Sequence, residues 1–292
     1  MSLIMLAAAM VMALASIGVL NLTILPSFDA LEMREASRNT QRLDRMLHGE
    51  AAILGRAVND WAKWDEMAAF AEGSNPSFPT INITTEVLRD LNVDFMIVLD
   101  AQGGRVYETM VDQGELISPI DRRYLSDFPS DAAPHDYQGF VRSDKGPMLV
   151  ASRTIQTTDR QGLVRGALIW GRKFALPSEN AIRDQLQLPL EVAYVQETGT
   201  PPGESFLRTE SGIVATRVVA DLHGHPVLHF RIFMGREISD LGQRTTNLTI
   251  AALIATWLAA IVIIALFMQS LVLRPIRRGL RPRCRRSTLP NG

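Results

Sequence analysis

Two long apolar runs stand at the ends of this chain, and between them the hydrophobic pattern switches from a helical period to a strand period. Residues 3–25, "LIMLAAAMVMALASIGVLNLTIL", and residues 248–273, "LTIAALIATWLAAIVIIALFMQSLVL", carry no charged side chain. About 20 apolar residues cross a bilayer core as a helix, so each run predicts a transmembrane span. A cleaved signal peptide is the rival reading of the first run. It lacks the basic residues that such a peptide carries ahead of its apolar stretch, and their absence also points to a start codon further upstream.

Between the runs, residues 27–70 read as one long helix, with no proline after Pro26 and many Glu, Arg, Leu, Met and Ala. Leu47, Ala51, Leu54, Val58, Trp61, Asp65 and Ala68 recur at spacings of four and three along one face, an amphipathic seam. Asp65 occupies a position where that seam asks for an apolar side chain. A carboxylate there is expected to be buried, and burial demands a partner.

Loop chemistry follows in "EGSNPSFPTIN", then a short helix at "TTEVLRDL", with Thr84 or Thr85 as its cap. "VDFMIVLD" and "RVYETMV", joined by "AQGG", predict an antiparallel hairpin. "LISPIDRRYLSDFPSDAAPHDYQG" reads as a lid or a short helix between loops, "GPMLVASRTIQT" and "GLVRGALIWGRKF" as two further strands, and "PSENAIRDQLQL" as a helix. A smaller β group, "LEVAYVQ", "GIVATRVVA" and "PVLHFRIFM", precedes a last helix at "GREISDLGQRTT". The fold class is therefore α+β: a long N-terminal helix packed on an antiparallel sheet, with a smaller membrane-proximal β portion and two flanking transmembrane helices.

Charge fixes the expected topology. Arg274, Arg277, Arg278, Arg281, Arg283, Arg285 and Arg286 crowd behind the second run, and such an excess marks the cytoplasmic side. Both termini are then expected on the cytoplasmic side, with residues 27–246 outside the membrane. The net charge of −1 excludes a general nucleic-acid binder, and the tail arginines instead suit anionic lipid. The single cysteine, Cys284, lies in the tail, so no disulfide staples the outer region.

The motif "DWAKWDEMAAF" resembles the signature of the type-4 CHASE domain, an extracytoplasmic sensory domain of bacterial histidine kinases and cyclic di-GMP enzymes. The pattern is carried by Asp60, Trp61, Trp64, Asp65 and Phe70, and the hairpin and two later strands are similar in order, over about residues 45–174. The resemblance implies a Cache- or PAS-like sensor sheet, a place in a bacterial inner membrane with residues 27–246 in the periplasm, and binding of a small molecule or other periplasmic signal. The tail, "LVLRPIRRGL", resembles the start of a HAMP or GGDEF-type signalling linker, interrupted by Gly279 and Pro282. The organisation expected is a first span over 1–26, the sensor domain over 27–176, a β portion and connecting helix over 177–246, a second span over 247–273 and a short basic tail over 274–292, a truncated linker without an output module.

Candidate ligand-binding residues are Trp61, Trp64, Asp65 and Arg172. Trp faces attract cations, Asp65 supplies a carboxylate, and Arg172 is either a clamp for a ligand carboxylate or the partner of Asp65. The alternative is that Asp65 fixes structure by accepting loop amides or pairing with Arg172 or Arg153, with the tryptophans as core. His223, His225 and His229 beside Asp221 match no familiar zinc spacing, and Gly224 with Pro226 reads as a turn. No cofactor or metal is expected, and no nucleophile elbow, His-Glu-x-x-His or phosphate-cradling loop is present. The function expected is the sensory input of a receptor, with a membrane-anchored periplasmic enzyme or scaffold as the alternative. A homodimer is expected through residues 43–54 of the seam and the Ala9 to Ala13 small-residue pattern, leaving Val58 to Asp65 for the sheet.

Overall fold

The computed structural model describes residues 2–19, 22, 25–121, 134–158, 163–174, 176–195, 201–209 and 211–268. The chain divides into two compact units, residues 1–32 with 236–292, and residues 33–235. The first contains α1 (Ser2–Val19) and α7 (Glu237–Met268), which lie side by side. Within α7, residues 240–267 form a stretch long and apolar enough to cross a membrane, its most apolar 18-residue window having a mean hydropathy of 2.8. Three of its hydroxyls are satisfied locally: Thr245, Thr249 and Thr256 each donate to the carbonyl four residues back, at 2.8 Å. α1 is apolar but only 18 residues long. The expected basic tail, residues 274–292, lies outside the described residues.

The second unit holds most of α2 (Leu25–Ala62), then α3 (Asp65–Ala71), α4 (Phe78–Asn82) and α5 (Thr85–Asp90). Thr84 caps α5, accepting the Val87 N–H at 3.3 Å. A six-stranded antiparallel sheet follows, built from β1 (Phe95–Asp100), β2 (Arg105–Asp112), β3 (Glu115–Ile117), β4 (Tyr137–Val141), β5 (Met148–Ile155) and β6 (Gly166–Lys173) in the order β3-β2-β1-β6-β5-β4. After α6 (Leu176–Leu186) come β7 (Leu190–Tyr194), β8 (Gly203–Arg208), β9 (Gly212–Ala220) and β10 (Pro226–Gly235), a four-stranded sheet ordered β7-β10-β9-β8. The α+β expectation, the first hairpin and the smaller second sheet are therefore present. Strands β3, β4 and β8 were not expected: they are short, polar or glycine-bearing, and pairing rather than composition makes them strands.

β1 shows why the larger sheet reads as continuous apolar runs. Met96 and Val98 enter the core shared with α2, while Phe95, Ile97 and Leu99 enter a separate apolar cluster with Val150 and Ile169. The alternation is the two-residue period of a strand covered on both faces. Close packing fixes one glycine: a Cβ at Gly171 would overlap the buried ring of Phe95 on the neighbouring strand.

Two seam expectations are corrected. Leu43, Leu47, Ala51, Leu54, Val58 and Ala62 all bury in one cluster with Trp170 and Leu168 of the first sheet and Leu228 and Phe230 of the second. Residues 43–54 of the seam are thus filled by the chain's own core, not offered to a partner helix. The helix also does not reach Phe70. It ends at Ala62, and Asp65 opens the separate helix α3, so the seven-residue rhythm crosses a break and loses its meaning there.

Leu54→Ala is expected to destabilise the folded chain by about 2–5 kcal/mol. Its denaturation midpoint should fall equally at low and high protein concentration. A loss that grows on dilution would return the stripe to a dimer interface.

Candidate functional site

The motif that raised the question of Asp65 is a joint. At the end of α2 the Lys63 and Trp64 N–H groups bond the Asp60 and Trp61 carbonyls at 3.3 and 3.2 Å, a tightened last turn. Trp64 then turns extended (φ −76°, ψ 136°) and α3 begins, with Asp65 and Glu66 in its first turn, where acidic groups suit the positive helix end. The end of β5 and the residues after it grip this break from the side. Gln156 N–H donates to the Ala62 carbonyl at 3.1 Å. Lys63 Nζ donates to the Thr154 carbonyl and Gln156 Oε1 at 3.3 and 2.9 Å. Thr158 donates its hydroxyl to the Lys63 carbonyl at 3.1 Å and its N–H to Asp65 Oδ1 at 2.8 Å.

Asp65 is therefore exposed, not buried, and it accepts a loop amide. The expected burial fails because the break at Lys63 rotates the position off the seam. Trp61 and Trp64 do come together: their rings stack at 4.6 Å and 19°, and Trp61 meets the fully buried Trp170 edge-on at 5.4 Å. This aromatic ladder runs from the 39% exposed Trp64 into the core. An open cleft of about 460 Å³ lies against it, lined by Asp60, Lys63, Trp61 and Trp64.

Arg172 is elsewhere. Its side chain is only 12% exposed and pairs with Glu50 of α2, so neither Arg172 nor Arg153 pairs with Asp65. The Arg153 guanidinium donates to the Tyr137 and Ser152 carbonyls at 3.0 and 2.7 Å and to Gln138 Oε1. It lies over Gly55, where a side chain on α2 would strike it. Asp221 clamps the β9–β10 turn, its Oδ1 accepting the His223 and His225 N–H groups at 2.9 and 2.8 Å. His229, on β10, has its imidazole pKa lowered by burial and then by Arg231. Among the described residues no three His, Cys, Asp or Glu side chains converge as a metal site.

Sequence reading missed a further cleft beside α2. Asp44 accepts the Arg217 Nε at 2.8 Å across 173 positions of sequence, and the pair lines a cavity of about 310 Å³ with Phe140 and Asp221. No local motif signals such a pair, because only the stacking of α2 on both sheets creates it.

Comparison with known proteins follows the same outline. Residues 46–193 match the family model of the CHASE4 domain, which extends beyond the larger sheet into β7. The methanogenesis regulatory histidine kinase FilI of Methanothrix harundinacea (strain 6Ac) is 26% identical over 245 residues, 79% of this chain and 28% of FilI, so the chain spans little more than a quarter of that relative. Among solved structures, the periplasmic domain of Vibrio cholerae LuxQ is similar at a TM-score of 0.45 and 13% identity, covering 68% of this chain and 100% of that one. The sensor domain of the V. cholerae histidine kinase DctB gives 0.40 and 10%, covering 71% and 99%.

Asp65→Ala is expected to speed amide exchange at Thr158 by roughly tenfold, the loss of one hydrogen bond, whereas Asp65→Asn keeps an acceptor oxygen and leaves it slow. Equal protection in both variants would remove Asp65 from the joint. Tyr137 supplies a pH dependence. Burial raises its phenol pKa, so above about pH 10 the unfolded tyrosine loses its proton and the folded one keeps it. Stability should therefore fall as pH rises past that point, and Tyr137→Phe should flatten this part of an alkaline denaturation curve.

Proposed function

The chain belongs to the CHASE4 domain family, and on that premise we propose that it is the membrane-bound sensory input of a bacterial inner-membrane receptor that detects a small molecule on the periplasmic side. In this reading the first apolar run and α7 are two spans, both termini are cytoplasmic, and the arginine-rich tail lies against anionic lipid. The receptor acts as a homodimer and drives a histidine kinase, as the name of the relative FilI suggests, or a cyclic di-GMP enzyme.

The observation that carries this reading is the continuity of α2 from Leu25 to Ala62. One rigid helix bears on both sheets and leads back along the chain toward the first apolar run. Its polar ties include Asp44 to Arg217, Glu50 to Arg172, and the Lys63 joint, each partly exposed. A signal that alters one tie shifts the helix as a body, the small displacement that such switches use. Trp61, Trp64 and Asp65 act in this reading at the joint, where the cleft against Trp64 offers an aromatic face and the Asp60 carboxylate to a ligand. Arg172 acts at a different tie.

Topology fusions and a chimera test this together. Alkaline phosphatase joined after residue 112 should be active and after residue 268 inactive. Residues 1–268 grafted onto a heterologous kinase output should show a basal activity that changes severalfold with Arg172→Ala. Active phosphatase at both points, or an output indifferent to Arg172→Ala and to Lys63→Ala alike, would sink the proposal.

A further inference from the structure

The cleft between α2 and β9 holds more negative charge than its own pairing uses. Asp44 commits Oδ1 to Arg217 Nε, and its side chain is still 30% exposed. Among the described residues this carboxylate makes no other side-chain hydrogen bond, although it has about four lone-pair sites. Asp221, also on the cleft wall, has no exposed side-chain surface. Its Oδ1 takes two turn amides, and its Oδ2 accepts no hydrogen bond and has His225 Nδ1 3.6 Å away.

Asp44, Arg217 and Asp221 all line the cleft, and the poorly screened charge of Asp221 adds to its field, since charges act more strongly where water is excluded. The Arg153 guanidinium does not line the cleft; it is spent on two carbonyls and Gln138. The remaining lining includes His48 and Gln138, and its apolar part includes Leu47 from α2, Phe140 from β4 and Leu222 beyond β9. A volume of about 310 Å³ fits the smallest class of ligand sites, which start near 300 Å³.

We propose that this cleft binds a small organic cation, an alkylammonium whose charged head takes the open oxygen of Asp44 within the field of Asp221 and whose apolar body lies on Leu47, Phe140 and Leu222. This deepens the sensory reading and rests on it for its consequence: a cation on Asp44 competes with Arg217 and loosens the tie between α2 and β9. The buried-side carboxylate that the sequence suggested at Asp65 is, in the fold, supplied by Asp221 instead.

The experiment titrates the full chain, in detergent micelles, with propylammonium chloride by calorimetry, with propanol and sodium propionate as controls of equal shape. Saturable binding of propylammonium alone is expected. Asp44→Asn, which keeps an acceptor for Arg217 but removes the charge, should weaken it by roughly tenfold or more. Arg217→Gln removes the competitor and should strengthen it severalfold, a gain that a misfolded protein would not give. Equal binding of propanol or propionate, undiminished binding by Asp44→Asn, or weaker binding by Arg217→Gln would each overturn the proposal. The titration needs no output module, so its failure is separate from that of the sensory reading. A cleft that binds the cation while the kinase chimera ignores Arg172→Ala and Lys63→Ala leaves the site standing and removes its role in signalling.

Discussion

Burial of the stripe from Leu43 to Ala62 on α2 is the constraint on which the second unit depends. Those side chains cover one face of the larger sheet and also meet Leu228 and Phe230 of the smaller one, and all of them fall in a single apolar cluster. Burying a leucine or valine contributes about 1.5–3 kcal/mol, so the stripe outweighs any single polar contact of the helix. Without it, Met96, Val98, Leu168 and Trp170 would face water on one side of the central strands. The glycine at 55 belongs to the same constraint: it lets the Arg153 guanidinium lie against the helix without a clash.

The polar ties of α2 have a different role. They run in order along the helix, Thr40 to Glu204 and Asp44 to Arg217 on the smaller sheet, then Glu50 to Arg172 and Lys63 to Gln156 on the larger. The two ion pairs among them keep contact with water, and such pairs contribute about 0–1 kcal/mol each, too little to hold the fold and enough to choose between neighbouring positions of a helix whose apolar face is already buried. Register is thus set by weak polar contacts, and cohesion by strong, buried ones. A CHASE4 domain built this way can change the first without endangering the second.

How much of this was legible in the sequence depends on the range of the interaction. The second apolar run as a long apolar helix, the hairpin with Asp100 accepting the Gln102 and Gly104 N–H groups, and the strands β5 and β6 are local patterns, and they read correctly. The edge strand β4 did not, because "YQGFV" has a glycine at its centre and becomes a strand only by pairing with β5. The motif around Asp65 was found for the right residues and given the wrong geometry. Its seven-residue rhythm continues across Lys63, and nothing in the rhythm reveals that the chain breaks there to meet Thr158. Asp44 and Arg217 could not be found at all, since their meeting depends on the tertiary placement of α2 against β9.

The weakness of the ties also bounds how such a domain can signal. Moving a two-state equilibrium from one extreme to the other takes a differential affinity of about 5.5 kcal/mol, more than any one exposed pair supplies. A ligand that displaced a single tie would therefore shift the population by a fraction only, unless the starting balance were already close. Two features of the fold ease this. The ties share one rigid helix, so loss of the Asp44 contact and of the Glu50 contact act on the same displacement. The aromatic ladder of Trp64, Trp61 and Trp170 ties the far end of that helix to the buried core, which makes the joint the fixed point and the Asp44 end the freer one. A signal received near Asp44 has the longer arm about that joint.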